Sequence, residues 1–160
     1  MQCASFEEGS IDSHRFIHAF WQLRQHILKS VNPRVRAAHG VDFLEVMLLE
    51  QIGAGDVNPS DLAELMQVPA HTISRRLDSL EKGGLLQRTL DPNDARRRVL
   101  TLTGAGERVT REARKTLDGG LEPLLGAVSK KDAVTLIQTM EAMTQAQIKD
   151  TEKAQLQERV

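Results

Sequence analysis

With no tyrosine, one tryptophan and four phenylalanines, this chain almost lacks the stacking platforms on which unpaired nucleic-acid bases are held. A reader of single-stranded RNA is therefore disfavoured. Cys3 is the sole cysteine, so no disulfide closes within the chain, and no apolar run is long enough to span a membrane or act as a secretory signal. A cytoplasmic protein without a membrane partner is expected. Cys3 also lacks a cationic neighbour to stabilise a thiolate, which makes it an ordinary exposed thiol. An excess of one charge is missing too. Lys and Arg total 21 against 22 Asp and Glu, a formal net charge of −1, which argues against a general polyanion binder.

Catalytic signatures are equally absent. No serine has a recognisable His and acid arrangement, Gly83-Gly84 is not a phosphate loop, and Asp91-Pro92-Asn93-Asp94 lacks the glycine and distal Glu of a calcium loop. His14 and His18 are four apart on a helical pattern, but no Cys or acid at ligand spacing completes a metal site. Neither an enzyme nor a metal protein is expected, and no cofactor is required.

What the chain does have is a particular order of elements between Asp61 and Gly106. A short helix from Asp61 to about Met66, opened by Pro59 and Ser60, turns Leu62, Leu65 and Met66 towards a core. Gln67-Val68-Pro69 breaks it from a second helix, about Ala70 to Lys82. There Ile73, Leu77 and Leu80 recur on one face, while His71, Ser74, Arg75 and Asp78 recur on another, with Thr72 beside them. Such a polar, partly cationic face near a helix N-terminus suits the major groove, where Arg pairs bidentately with guanine and Ser or Thr bonds either type of pair. Gly83-Gly84 stops the helix.

A hairpin follows, with strands at Leu85–Leu90 and Val99–Thr103 and a turn containing Asp91-Pro92-Asn93-Asp94 and then Arg96-Arg97-Arg98. Alternation of strand side chains means that these arginines cannot all face one way, so one or two of them are expected to meet phosphate or the minor groove. Asp94 is placed to brace one of the others. The segment from His71 to Arg98 is locally basic, and acids such as Glu7, Glu8, Asp150 and Glu152 lie towards the ends of the chain. The whole is expected to be mainly α with a small β-hairpin wing, a winged helix-turn-helix that binds double-stranded DNA. The alternative is a winged-helix protein-interaction adaptor whose arginines are merely solvated.

These residues resemble the MarR family of bacterial transcriptional regulators. The resemblance rests on Leu80-Glu81-Lys82-Gly83-Gly84-Leu85, on Asp91-Pro92-Asn93-Asp94-Ala95-Arg96 leading to Leu102-Thr103, and on Gly106, in that order. Two departures stand out: Gln67 sits where the family usually has Gly, and Pro69-Ala70 where Ser or Thr often caps the recognition helix. A non-glycine residue held left-handed at position 67 costs roughly 1 to 2 kcal/mol.

Outside the lobe, residues 1–10 are expected to be disordered. Phe16, Phe20, Leu23 and Ile27 form an apolar stripe widened by Ile17, Trp21 and Leu28. Pro33 is expected to end or kink that helix, with a further turn to His39. Val41 to Ile52 gives a helix with Phe43, Leu44, Met47 and Leu48 inward. Thr103 is expected to cap a helix to about Leu117, interrupted by Gly119-Gly120 before Leu121, Leu124 and Leu125. Ser129 and Asp132 open a last helix to about Lys153 with Leu136, Met140, Met143 and Ile148 on one face.

The lobe, 41–103, is complete without the segments 11–40 and 104–160, so their apolar faces need a partner. A homodimer is expected to use Phe16, Phe20, Leu121, Leu125, Leu136, Met140 and Met143, as the resemblance also implies. Two symmetric recognition helices then meet major-groove segments roughly 34 Å apart on a pseudo-palindrome. The resemblance further implies a ligand-responsive repressor whose effector, a small anionic or aromatic molecule, binds beside His18, Trp21, Phe43 and Met47 with Arg24 as a carboxylate anchor.

Overall fold

A computed structural model describes residues 12–55, 57–90 and 98–158 of the chain. It divides into two compact units, Met1–Gly120 and Leu121–Val160. The first begins with α1 (Ser13–His39), where the Asp12 carboxylate caps the helix by accepting from the His14 and Arg15 N–H groups at 3.0 and 3.1 Å. Gly40 closes it with φ 73°, donating to the Arg36 carbonyl. Of the two outcomes expected at Pro33, an end or a kink, the helix does not end there and runs on to His39. Pro33 removes one helical hydrogen bond, but Val31 and Val35 are buried on either side of it and the Asn32 side chain accepts from the Phe43 N–H at 2.8 Å. Tertiary anchoring on both sides outweighs the missing bond.

Asp42 and Glu45 form a reciprocal capping box at the start of α2 (Phe43–Ala54). Its fully buried apolar residues are Val46, Leu48, Leu49 and Ile52, whereas Phe43, Leu44 and Met47, expected inward, are half-buried. Asn58 and Asp61 make a second capping box for α3 (Pro59–Met66), so this helix starts two residues before Asp61 with Pro59 in its first turn. Leu62 is buried; Leu65, assigned to the core from its spacing, is 59% exposed. A helix of only 8 residues buries one narrow stripe, and Leu62 fills it.

Gln67 then takes the left-handed conformation, φ 51° and ψ 41°, before α4 (Ala70–Lys82). At the far end of α4 it is Gly84, at φ 69°, that turns left-handed, while Gly83 stays right-handed. Strands β1 (Leu86–Leu90) and β2 (Arg98–Leu102) pair antiparallel, with Leu86 opposite Leu102 and Arg88 opposite Leu100. Leu86 and Leu100 are buried beneath this hairpin.

The next helix, α5 (Gly104–Leu125), is capped by Thr103, whose hydroxyl accepts from the Gly106 N–H at 3.0 Å. Contrary to expectation, α5 runs without interruption through Gly119-Gly120. Glycine weakens a helix by about 1 kcal/mol without stopping it, and here it allows close contact. A Cβ on buried Gly120 would lie 3.2 Å from the Val31 side chain, and the Gly120 carbonyl accepts from the Ser30 hydroxyl at 3.5 Å. The second unit contains α6 (Lys130–Glu158), opened by Ser129, whose hydroxyl accepts from the Asp132 N–H at 3.1 Å. It extends five residues past the expected end at Lys153.

Candidate nucleic-acid interface

Ile73, Leu77 and Leu80 bury one side of α4, which fixes what its other side presents. His71, Ser74, Arg75 and Asp78 are exposed together, and Thr72 is half-buried at their edge. Arg75 makes no ion pair among the described residues. No side chain caps the first turn of α4, where Pro69 offers only its carbonyl, accepting from the Thr72 and Ile73 N–H groups at 2.8 and 3.2 Å. The end of the helix beside His71 is thus an open array of N–H donors carrying a partial positive charge.

The neighbouring arginine has another task. Arg76 Nη1 donates to Asp42 at 2.5 Å and to Glu45 at 3.2 Å, joining α4 to the capping box of α2, while Arg36 of α1 lies 3.8 Å from the same Asp42. Burial works to lower the Arg76 pKa, but the two carboxylates outweigh it and hold the guanidinium above its ordinary value. Glu45 is the one charged residue in the core of the described chain, and Arg76 together with the Asp42 N–H satisfies it.

On the wing side, Arg88 of β1 reaches back to α4, bonding Asp78 at 2.7 Å and Glu81 at 3.1 Å. Neither of these two cross-links was read from the sequence. The Asp42–Glu45 spacing is a visible capping-box pattern, but nothing local announces which distant arginine completes it.

A third feature joins the glycine stop to the start of α5. The Thr103 hydroxyl donates to the Gly84 carbonyl at 2.6 Å, the Thr103 N–H donates to the Leu85 carbonyl at 3.1 Å, and Gly106 is packed against that same carbonyl. A Cβ at position 106 would sit 1.9 Å from the Leu85 oxygen, so only glycine fits. The separate motif pieces Gly84-Leu85, Thr103 and Gly106 are therefore one corner in space.

The remaining candidates fall as follows. Asp94, Arg96 and Arg97 lie outside the described residues, and of Arg98 only the strand backbone is described. Phe16 and Phe20 are 48% and 45% exposed, with stacked rings 6.5 Å apart. Leu125, Leu136, Met140 and Met143 are exposed and Leu121 is half-buried. His18, Trp21 and Arg24 are exposed on α1, and Phe43 and Met47 are half-buried on α2. Among the described residues no three His, Cys, Asp or Glu side chains gather as a metal site would require.

Residues 39–97, spanning α2, the helix pair and the first wing strand, match the sequence model of the MarR family. The uncharacterized HTH-type transcriptional regulator YdgJ of Bacillus subtilis (strain 168) is 24% identical over 120 residues, covering 74% of this chain and 73% of its own. In fold, the chain is similar to the transcriptional regulator BldR of Sulfolobus solfataricus, with a TM-score of 0.76 at 20% identity over 83% of this chain and 94% of that one. It is also similar to Streptococcus pneumoniae FabT, solved in complex with DNA, with a TM-score of 0.70 at 20% identity over 86% and 99%. The described residues have the mainly helical architecture with one two-stranded hairpin that was expected.

Proposed function

We propose that the chain is a sequence-specific regulator of transcription that binds double-stranded DNA as a homodimer, a ligand-responsive repressor acting in the cytoplasm without a required cofactor. The observation that carries this reading is the single exposed face of α4, where His71, Ser74 and Arg75 stand together over a buried Ile73–Leu77–Leu80 side. A helix held by one apolar stripe presents the other side at a fixed angle, which is what a major-groove reader needs. Arg75 is the candidate for a bidentate contact to guanine, with Ser74, Thr72 and His71 beside it. Arg96, with Arg97 or Arg98, would anchor the wing on phosphate or in the minor groove, oriented by Asp94. The DNA complex of FabT supports the same use of this fold.

Dimerisation is supported by the apolar side chains left exposed on α1, Phe16, Phe20 and Trp21, and on α6, Leu136, Met140 and Met143. Exposed groups of large apolar residues are costly in water and mark interfaces. Two-fold symmetry then calls for a pseudo-palindromic operator. A small anionic or aromatic effector bound near His18, Trp21, Arg24, Phe43 and Met47 would act by preferring one dimer geometry, shifting operator affinity by a coupling of typically about 1 to 3 kcal/mol.

Capture of genomic fragments by the purified protein, followed by titration of the retained fragment at several salt concentrations, tests the proposal. Affinity should fall steeply with salt, and Arg75→Ala should relax discrimination at one base position by about 1 to 3 kcal/mol. Equal binding to random and captured DNA at physiological salt would instead favour the adaptor.

A further inference from the structure

Arg88 lies in the middle of β1, opposite Leu100, and its side chain is only 20% exposed. Its two terminal nitrogens are divided between two carboxylates: Nη2 lies 2.7 Å from Asp78 Oδ1 and Nη1 lies 3.1 Å from Glu81 Oε2. Asp78 and Glu81 are three residues apart on α4, hence on one side of the helix in successive turns. The planar guanidinium fork spans that spacing, which the point charge of an ammonium does not.

Asp78 also continues the exposed row of His71, Ser74 and Arg75, and is itself 51% exposed. A bare carboxylate in that row would face the phosphates that Arg75 must approach. Resting on the regulatory reading above, we infer that Arg88 is a positioning residue of the DNA interface: it masks Asp78 and Glu81 from the DNA backbone and locks the wing strand to the recognition helix. Its effect on DNA is exerted through the acids it holds. Asp78 is accordingly withdrawn from base reading, although an acidic side chain at this position in a bare helix would be free to accept from a cytosine amino group.

Masking makes a prediction that direct phosphate contact and simple bracing of the hairpin do not. The test uses the full-length protein, the genomic fragment retained by wild type and a random duplex of equal length. Arg88→Gln should weaken operator binding about tenfold, corresponding to about 1.4 kcal/mol. Adding Asp78→Asn and Glu81→Gln to that variant should restore affinity to within about threefold of wild type, since the unmasked charges are gone. A triple variant as weak as Arg88→Gln overturns the inference, because Arg88 would then be contacting DNA or bracing the hairpin. Circular dichroism checks that each variant is folded. Should Arg88→Gln unfold, Asp78→Asn with Glu81→Gln on an intact Arg88 decides alone. Masking requires binding equal to or tighter than wild type, whereas a tenfold loss with relaxed preference at one base pair shows that Asp78 reads a base. Wild-type protein that fails to distinguish the two duplexes overturns the regulatory reading and this inference with it; a failed rescue overturns the inference alone.

Discussion

Gly106→Ala is the substitution whose outcome the structure constrains most tightly. The added methyl group would fall 1.9 Å from the Leu85 oxygen and 2.9 Å from its carbonyl carbon, about 1.5 Å short of ordinary contact with the oxygen. Both partners are backbone, so no side chain can rotate away. Separating α5 from the turn also disturbs the Thr103 N–H to Leu85 and Thr103 hydroxyl to Gly84 hydrogen bonds, of 3.1 and 2.6 Å. Overpacking of this kind costs about 1 to 3 kcal/mol, and each weakened hydrogen bond about 1 kcal/mol, against a gain of up to about 1 kcal/mol in helix propensity. A net loss of about 3 kcal/mol should lower the melting midpoint by about 6 to 12 °C. Thermal denaturation followed by circular dichroism measures this, at one fixed protein concentration because association shifts apparent stability. Gly119→Ala in the same helix is the control. Nothing lies within 4 Å of its Cβ position, so it should stabilise by up to about 1 kcal/mol. A Gly106→Ala protein melting within about 2 °C of wild type would show that the Leu85 approach is looser than its geometry implies.

Gln67 carries the one left-handed non-glycine conformation among the described residues, and Gln67→Gly should relieve about 1 to 2 kcal/mol of strain, offset by about 0.5 to 1 kcal/mol of extra chain entropy. Urea denaturation should therefore show a small gain for Gly and a clear loss for Val, whose β-branch tolerates this region poorly. Arg76→Met should cost about 2 kcal/mol by leaving buried Glu45 without its cation, measured the same way. Because the Arg76 pKa is raised on folding, its contribution is fully present below the unfolded-state value and lost only at strongly alkaline pH. The difference between wild type and Arg76→Met arising from this shift should thus stay constant from about pH 6 to 9.

Periodicity carried the lobe far: Ile73, Leu77 and Leu80 stand where a 3.6-residue repeat puts them, and Leu86–Leu90 and Arg98–Leu102 pair as a hairpin within a residue of the expected strands. It failed where tertiary contact decides. Leu65 has the spacing of a core residue, yet α3 is too short to bury it beside Leu62. Gly119-Gly120 has the composition of a break, yet α5 passes through it where Gly120 meets Val31. The motif glycine at 106 was visible as a letter without its cause, because the cause is a carbonyl 21 positions earlier in the chain. Arg76 and Arg88 both fall in the locally basic segment from His71 to Arg98, and charge composition does not reveal which cations are already occupied.

That last point decides which charges α4 leaves unpaired in a chain of net charge −1. On α4, Arg76 turns away to Asp42 and Glu45, and the helix's own acids, Asp78 and Glu81, are held by Arg88. Within the exposed row Asp78 is thus paired, and Arg75 projects without an ion pair among the described residues. Local pairing rather than composition therefore sets the field that a DNA backbone would meet. The same pairings are mechanical, because Asp42 lies within reach of both Arg36 on α1 and Arg76 on α4 while capping α2. Three helices thus meet at one carboxylate. The hydrogen-bonded Arg76 pair is worth about 1.5 to 3 kcal/mol, whereas the exposed Arg36, at 3.8 Å, adds at most about 1 kcal/mol. Because Asp42 and Glu45 both belong to the start of α2, a shift of α2 bears directly on α4 through Arg76.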